Sequence, residues 1–205
     1  MHHTHHNLIS FNLHYTVQLY MLQPCHLIVL LQGIALVSKG KAGVYISLFM
    51  LPYLTGCVLA IIVPGDFGLE YFLEWEAYWV EHYLITTVTP IYLLVRNNCA
   101  VLNMTTTKTV LFGVFFLLGS HWMIYDPICA IFKANIEFMM CPTPSMSELF
   151  STLPPSLFNK PSYRTTLAAL MILGLSPVVA YGYIGVARIV QSVFGLDANT
   201  KSKNT

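Results

Sequence analysis

Polar and apolar positions along this chain do not alternate with period two. They form long uncharged runs separated by short charged links. A membrane-crossing helix needs about 20 mostly apolar residues, and five segments meet that length. Leu8–Val37 holds no Asp, Glu, Lys or Arg but is interrupted by Pro24. Its portion Leu8–Leu22 reads as an interfacial or upper helical part, and Cys25–Val37 as the deeper part. Ala42–Val63 is uncharged around Pro52, and Thr165–Ala187 is uncharged around Pro177. Ala77–Val95 holds only Glu81 and His82 as ionisable groups, and Thr109–Phe132 only His121 and Asp126. The prolines in these runs argue for a membrane, where neighbouring helices and waters satisfy the carbonyls a proline frees. The missing period-two pattern argues against a transmembrane barrel. The expected fold is an all-α, polytopic membrane helix bundle of about five transmembrane helices. It forms a single domain over residues 1–195 with a polar tail over 196–205.

Composition agrees with that picture. Charged residues make 9% of the chain and hydrophobic ones 56%, against about 25% charged in an ordinary soluble domain. The net charge of +1 offers no field for a nucleic acid. The five cysteines, Cys25, Cys57, Cys99, Cys129 and Cys141, are scattered and contain no C-x-x-C pair. Neither a disulfide framework nor a thiolate zinc site is expected. The histidine-rich start, Met1–His6, is assigned no metal role.

The links orient the spans. Lys39 and Lys41 follow the first run, Arg96 and Lys108 flank the third link, and Arg188, Lys201 and Lys203 follow the last run. Asp66, Glu70 and Glu74 occupy a second link without Lys or Arg, and the long fourth link, Lys133–Arg164, is mixed. The positive-inside rule then puts the first and third links and the C-terminus in the cytoplasm. The sequon at Asn103 falls on that side and is expected to stay unmodified. The aromatic set Tyr71, Trp75, Tyr78, Trp79 and Tyr83 reads as an interfacial belt.

Ionisable groups inside spans are costly and raise a functional hypothesis. Here they are His26, Glu81, His82, His121 and Asp126. A nucleophilic site needs a thiolate or alkoxide and a base to generate it. Cys25 and His26 are neighbours, and side chains at i and i+1 of a helix diverge, so a histidine from another span, His82 or His121, is the expected base. The competing reading makes Cys25 an apolar filler and the histidines bridges between helices.

Three ordered pieces then resemble one family. They are Tyr20-Met21-Leu22-Gln23-Pro24-Cys25-His26-Leu27, Tyr78-Trp79-Val80-Glu81-His82 followed by Pro90-Ile91-Tyr92-Leu93-Leu94, and Asn135-Ile136-Glu137-Phe138-Met139-Met140-Cys141-Pro142. Their order and separations are similar to those of the transmembrane protein 164 family of polytopic lipid acyltransferases, over roughly Tyr15–Val193. The resemblance implies a transacylase that moves a polyunsaturated acyl chain from a diacyl phospholipid to a lyso-ether phospholipid through a cysteine thioester. It places Cys25 at the family's nucleophile, with His82 and His121 at two of its helix histidines. Asn135 and Cys141 match motif positions for which a structural role is expected. No metal or other cofactor is implied, because the donor is already an activated ester. The implied partners are membrane phospholipids and lysophospholipids, and the implied location is the endoplasmic reticulum or another endomembrane. Gln23 replaces the family's usual Asn, and about two hydrophobic segments that precede the cysteine helix in the family are not found here, which leads to the expectation of a shortened form. The alternatives from other classes are a non-catalytic transporter or helix-bundle scaffold, an inactive short form, and a hydrolase in which water resolves the thioester.

Overall fold

A computed structural model describes residues 24–63, 72–99, 103–132 and 169–195. The expected helix over Leu8–Leu22, the long fourth link with Asn135 and Cys141, and the polar tail lie outside the described residues. Among the described residues every regular element is helical.

The chain first forms α1 (Pro24–Val37). A two-residue link leads into α2 (Gly40–Phe49), a 3₁₀ turn (Leu51–Tyr53) and α3 (Leu54–Ile62). Next come α4 (Glu74–Tyr83), a π-helical turn (Leu84–Val88) and α5 (Thr89–Arg96). A fourth rod joins α6 (Met104–Ser120), a π turn (His121–Tyr125) and α7 (Asp126–Phe132). The last joins a π turn (Ala169–Leu175) to α8 (Ser176–Val193). Three helices are long and apolar enough to cross a membrane, Gly40–Ile62, Met104–Phe132 and Leu170–Val193, and Cys25–Val37 is a shorter apolar helix. At 1.5 Å per residue, Gly40–Ile62 is about 34 Å long, enough for a hydrocarbon core of about 30 Å. The outward faces remain apolar, with Phe112, Phe115 and Phe116 at least half exposed. Such a surface suits lipid rather than water.

The interruptions follow the prolines. Pro90, Pro127 and Pro177 each follow a π turn by two residues. A helical proline lacks an N–H and its ring collides with the carbonyl four residues earlier. Those carbonyls belong to Thr86, Met123 and Leu173, all inside the three π turns. Widening the turn there relieves the collision but leaves carbonyls without a backbone donor. At Pro90 the replacements are visible. The Tyr183 hydroxyl donates to Thr86 O, and the buried Gln32 amide donates to Ile85 O at 2.7 Å. The first and last rods are thereby tied to the third at its weakest point.

The same end of the bundle gathers the first and third links and the end of α8. Arg96 Nη1 donates to Leu36 O, Asn97 Nδ2 to Ser47 Oγ at 2.9 Å, and Gln191 Nε2 to Asn98 Oδ1 at 3.4 Å. Asn103 caps α6, its Oδ1 accepting from Thr106 N at 2.8 Å. The core fills the space between these rods with Ile28, Leu54, Leu94, Val110, Ile184 and their neighbours. Rod four passes so close to rod two that a Cβ on Gly113 would meet Phe49 O at 2.6 Å and Pro52 Cγ at 3.2 Å. Small residues at such crossings let helix backbones approach.

Two stability predictions follow from this packing. Gly113→Ala removes a flexible helix glycine, worth up to about 1 kcal/mol, but forces a backbone shift costing about 1–3 kcal/mol. The clash wins, and the detergent-solubilised variant should melt at a lower temperature. Gly119→Ala, whose Cβ meets nothing within 4 Å, should hold or gain stability. Tyr183→Phe should cost about 1 kcal/mol by orphaning Thr86 O. In a Pro90→Ala background, where the backbone can supply its own donor, that cost should vanish. An unchanged cost in the double-mutant cycle would refute the proline origin of the bond.

Candidate functional site

Cys25 lies in the first turn of α1, immediately after Pro24. It is 9% exposed and belongs to the apolar cluster that also contains Ile28, Leu54, Cys57 and Ile85. Its Sγ is 3.6 Å from Nδ1 of His26, within hydrogen-bond reach for sulfur. This overturns the expectation that His26 turns away from Cys25. Divergence by about 100° per residue holds for side chains projecting straight out from a helix barrel. Nδ1, however, is the ring nitrogen nearest the backbone, so an imidazole lying along the first turn can reach its neighbour's Sγ. The half-buried His26 ring does so.

His82 is buried near the end of α4. Its Nδ1 is 2.8 Å from Tyr78 O. A carbonyl can only accept, so Nδ1 carries the proton and Nε2 of the neutral ring is left as the basic nitrogen. The Tyr78 ring covers the imidazole with centroids 4.1 Å apart, and the Tyr78 hydroxyl is anchored on Ala60 O at 2.7 Å. The ring's tautomer and plane are both fixed in this way, as a general base requires. The π turn begins two residues later, and Thr86 Oγ1 donates back to His82 O. The aromatic set continues along α4, with Trp75, Tyr78 and Trp79 mutually in contact and Trp79 stacked on Tyr83 at 5.6 Å.

His121 is also buried, as the first residue of the π turn between α6 and α7. Helical rise compares the depths of these groups. Cys25 lies 11 residues before Leu36, about 16 Å along α1, while His82 lies 14 residues before Arg96, about 21 Å along its rod. Because Arg96 is bonded to Leu36 O, the two residues stand at similar depth. α1 packs against α3 and the Leu84–Val88 turn, and α3 packs in turn against α4. His121 is about 27 Å from Asn103, deeper toward the far end. The structure therefore joins Cys25 to His26 directly and puts His82 on a neighbouring rod at comparable depth. His26 is the histidine that the spacing argument set aside. The Pro-Cys-His adjacency was its only sequence signal.

The remaining thiols differ. Cys57, Cys99 and Cys129 are buried as well. Cys99 lies in the third link outside the spans, where burial pushes its thiol up to about 12. Its Sγ faces the carbonyls of Val44 and Asn97. It is therefore inert near neutral pH. Among the described residues no cluster of three or more His, Cys, Asp or Glu is placed to hold a metal ion.

Comparison with known proteins gives the chain its relatives. A Dictyostelium discoideum protein, Transmembrane protein 164 homolog, is 24% identical over 162 residues, covering 77% of this chain and 54% of that protein. The chain thus spans about half the length of this curated relative. No solved structure matches it. The family model described as the TMEM164 family matches residues 5–175, most of the chain and all the motifs from Pro24 to Cys141, and the protein belongs to that family.

Proposed function

We propose that this protein is a cysteine-dependent membrane phospholipid acyltransferase. The observation that carries the proposal is the contact of 3.6 Å between Cys25 Sγ and His26 Nδ1, at the motif position that corresponds to the family's nucleophile. The donor is a diacyl phospholipid with a polyunsaturated chain, and the acceptor is a lyso-ether phospholipid. The setting is an endomembrane such as the endoplasmic reticulum.

The chemistry proceeds in two halves. His26 takes the thiol proton and the thiolate attacks the donor's ester carbonyl. The tetrahedral adduct collapses, the C–O bond breaks, and the imidazolium returns its proton to the departing lysophospholipid oxygen. An acyl-thioester on Cys25 remains. In the second half a histidine removes the proton of the acceptor's hydroxyl, whose oxygen attacks the thioester and releases the thiolate. His82, its ring held by Tyr78, suits this second role, with His121 as the other candidate. The apolar side chains around Cys25 keep its sulfur largely away from water, which favours an alcohol acceptor over hydrolysis.

The test follows an isotopically labelled acyl chain from diacyl donor to lyso-ether acceptor in vesicles holding the purified protein. Cys25→Ser should abolish transfer and the acyl-protein adduct, since a hydroxyl hardly ionises near neutral pH. Cys57→Ser should retain both. Transfer that persists in Cys25→Ser would reject the reading.

A second measurement separates the histidines. Alkylation of Cys25 by iodoacetamide near neutral pH should slow by on the order of tenfold in His26→Ala. His82→Ala should leave alkylation intact while lowering transfer by about 10²-fold or more. Cys99 should stay unmodified throughout, since burial raises its thiol well above the usual range. Unchanged alkylation in His26→Ala would remove His26 from the mechanism.

A further inference from the structure

A groove of about 580 Å³ runs between α2 and α6 on the outside of the bundle, away from the cysteine–histidine site. Its volume lies within the range of small-molecule sites. One wall is Tyr45 and Phe49 of α2. The other is Thr105, Lys108, Thr109 and Phe112 of α6. These positions follow the i, i+3, i+4, i+7 spacing of a single helix stripe. The polar residues therefore come first, nearest the third link, and the aromatic ones follow at greater depth. Phe116 extends the apolar part, with its ring 5.4 Å from that of Phe49.

One of the groove's three side-chain donors is spent within its own helix. Thr109 turns its hydroxyl back to Thr105 O at 2.8 Å. Lys108 and the Thr105 side chain, both exposed, make no hydrogen bond or ion pair among the described residues. The surrounding field has one sign. Among the described residues, Lys39, Lys41, Arg96, Lys108 and Arg188 all lie at this end of the bundle, while Glu74, Glu76, Glu81 and Asp126 lie toward the other. A cation at a membrane interface, beside aromatic rings and without a nearby carboxylate, favours an anionic headgroup.

We propose that this groove binds one anionic phospholipid, its phosphate on Lys108 and the Thr105 hydroxyl and its acyl chain along Phe49, Phe112 and Phe116. The site lies at the basic end, and Lys108 precedes His121 by 13 residues, about 20 Å along the same rod. The lipid is therefore a bound companion in the leaflet at that end rather than the acyl donor at Cys25. It covers an apolar seam between rods two and four, so its binding stabilises the bundle by mass action.

The experiment titrates the purified full chain in detergent with short-chain phosphatidylserine or phosphatidylcholine and reads the thermal midpoint, with native mass spectrometry counting bound lipid. Wild type should bind one phosphatidylserine about fivefold more tightly than phosphatidylcholine, the preference one interfacial lysine supplies. Lys108→Gln should erase that preference. Lys39→Gln, at the same end but outside the groove walls, should keep it. Equal binding of the two lipids by wild type, or a preference surviving Lys108→Gln, overturns the proposal. Absence of binding by either lipid also overturns it.

Discussion

The constraint that shapes this molecule is the cost of an unsatisfied backbone group in a medium without water. Each lipid-embedded carbonyl needs a donor, and a proline within a helix removes one. The prolines after the second, third and final rod breaks sit where the helix has already widened into a π turn. The answer at Pro52 is different. There a 3₁₀ turn tightens the chain, with Tyr53 N donating to Met50 O at 3.0 Å. The bundle is then knitted by the side chains that replace the lost donors. Gln32 and Tyr183 reach Ile85 O and Thr86 O from sequence distances of 53 and 97 residues. Interhelical bonds of this kind average below 1 kcal/mol in membranes. Their value here is in fixing which rods meet and at what depth.

The candidate chemistry sits on these irregular points. Cys25 and His26 occupy the first turn after Pro24, His82 precedes a π turn by two residues, and His121 opens another. π turns inside helices occur frequently at functional sites because the extra residue re-aims side chains that a regular helix would direct elsewhere. The His82 ring lies just before such a turn. Its basic nitrogen is specified by a hydrogen bond to Tyr78 O, and Tyr78 is itself held by Ala60 O on another rod. The tautomer of this buried ring is thus set within α4, two residues before the helix widens.

Much of this architecture was legible in the sequence. The long uncharged runs required membrane helices, and the tolerance of prolines in them was itself an argument for lipid. Which side chains satisfy the freed carbonyls was not legible, because Gln32 and Tyr183 carry no local mark of a partner far along the chain. The π turns were equally hidden, since a proline shows where a helix is disturbed but not whether it widens or tightens. Cys25, His82 and His121 were singled out from charge scarcity and motif order. His26 was set aside by a rule for side chains along a regular helix barrel. That rule does not cover an imidazole folded along the first turn, where its proximal nitrogen reaches the preceding sulfur.

The division of charge between the two ends links stability to chemistry. Every described acidic residue lies toward the end where the long helices finish with Ile62 and Phe132, and every described Lys or Arg lies toward the end with Leu36, Arg96 and Gln191. The basic end is stitched by neutral or carbonyl-directed bonds, Arg96 to Leu36 O and Asn97 to Ser47 Oγ. Backbone carbonyls are available wherever a helix ends, so they hold a cation without a buried carboxylate and its desolvation cost. The cysteine–histidine pair stands away from that basic field. Its Sγ–Nδ1 contact is therefore set by the local geometry of the first turn rather than by the bulk of the protein's cations.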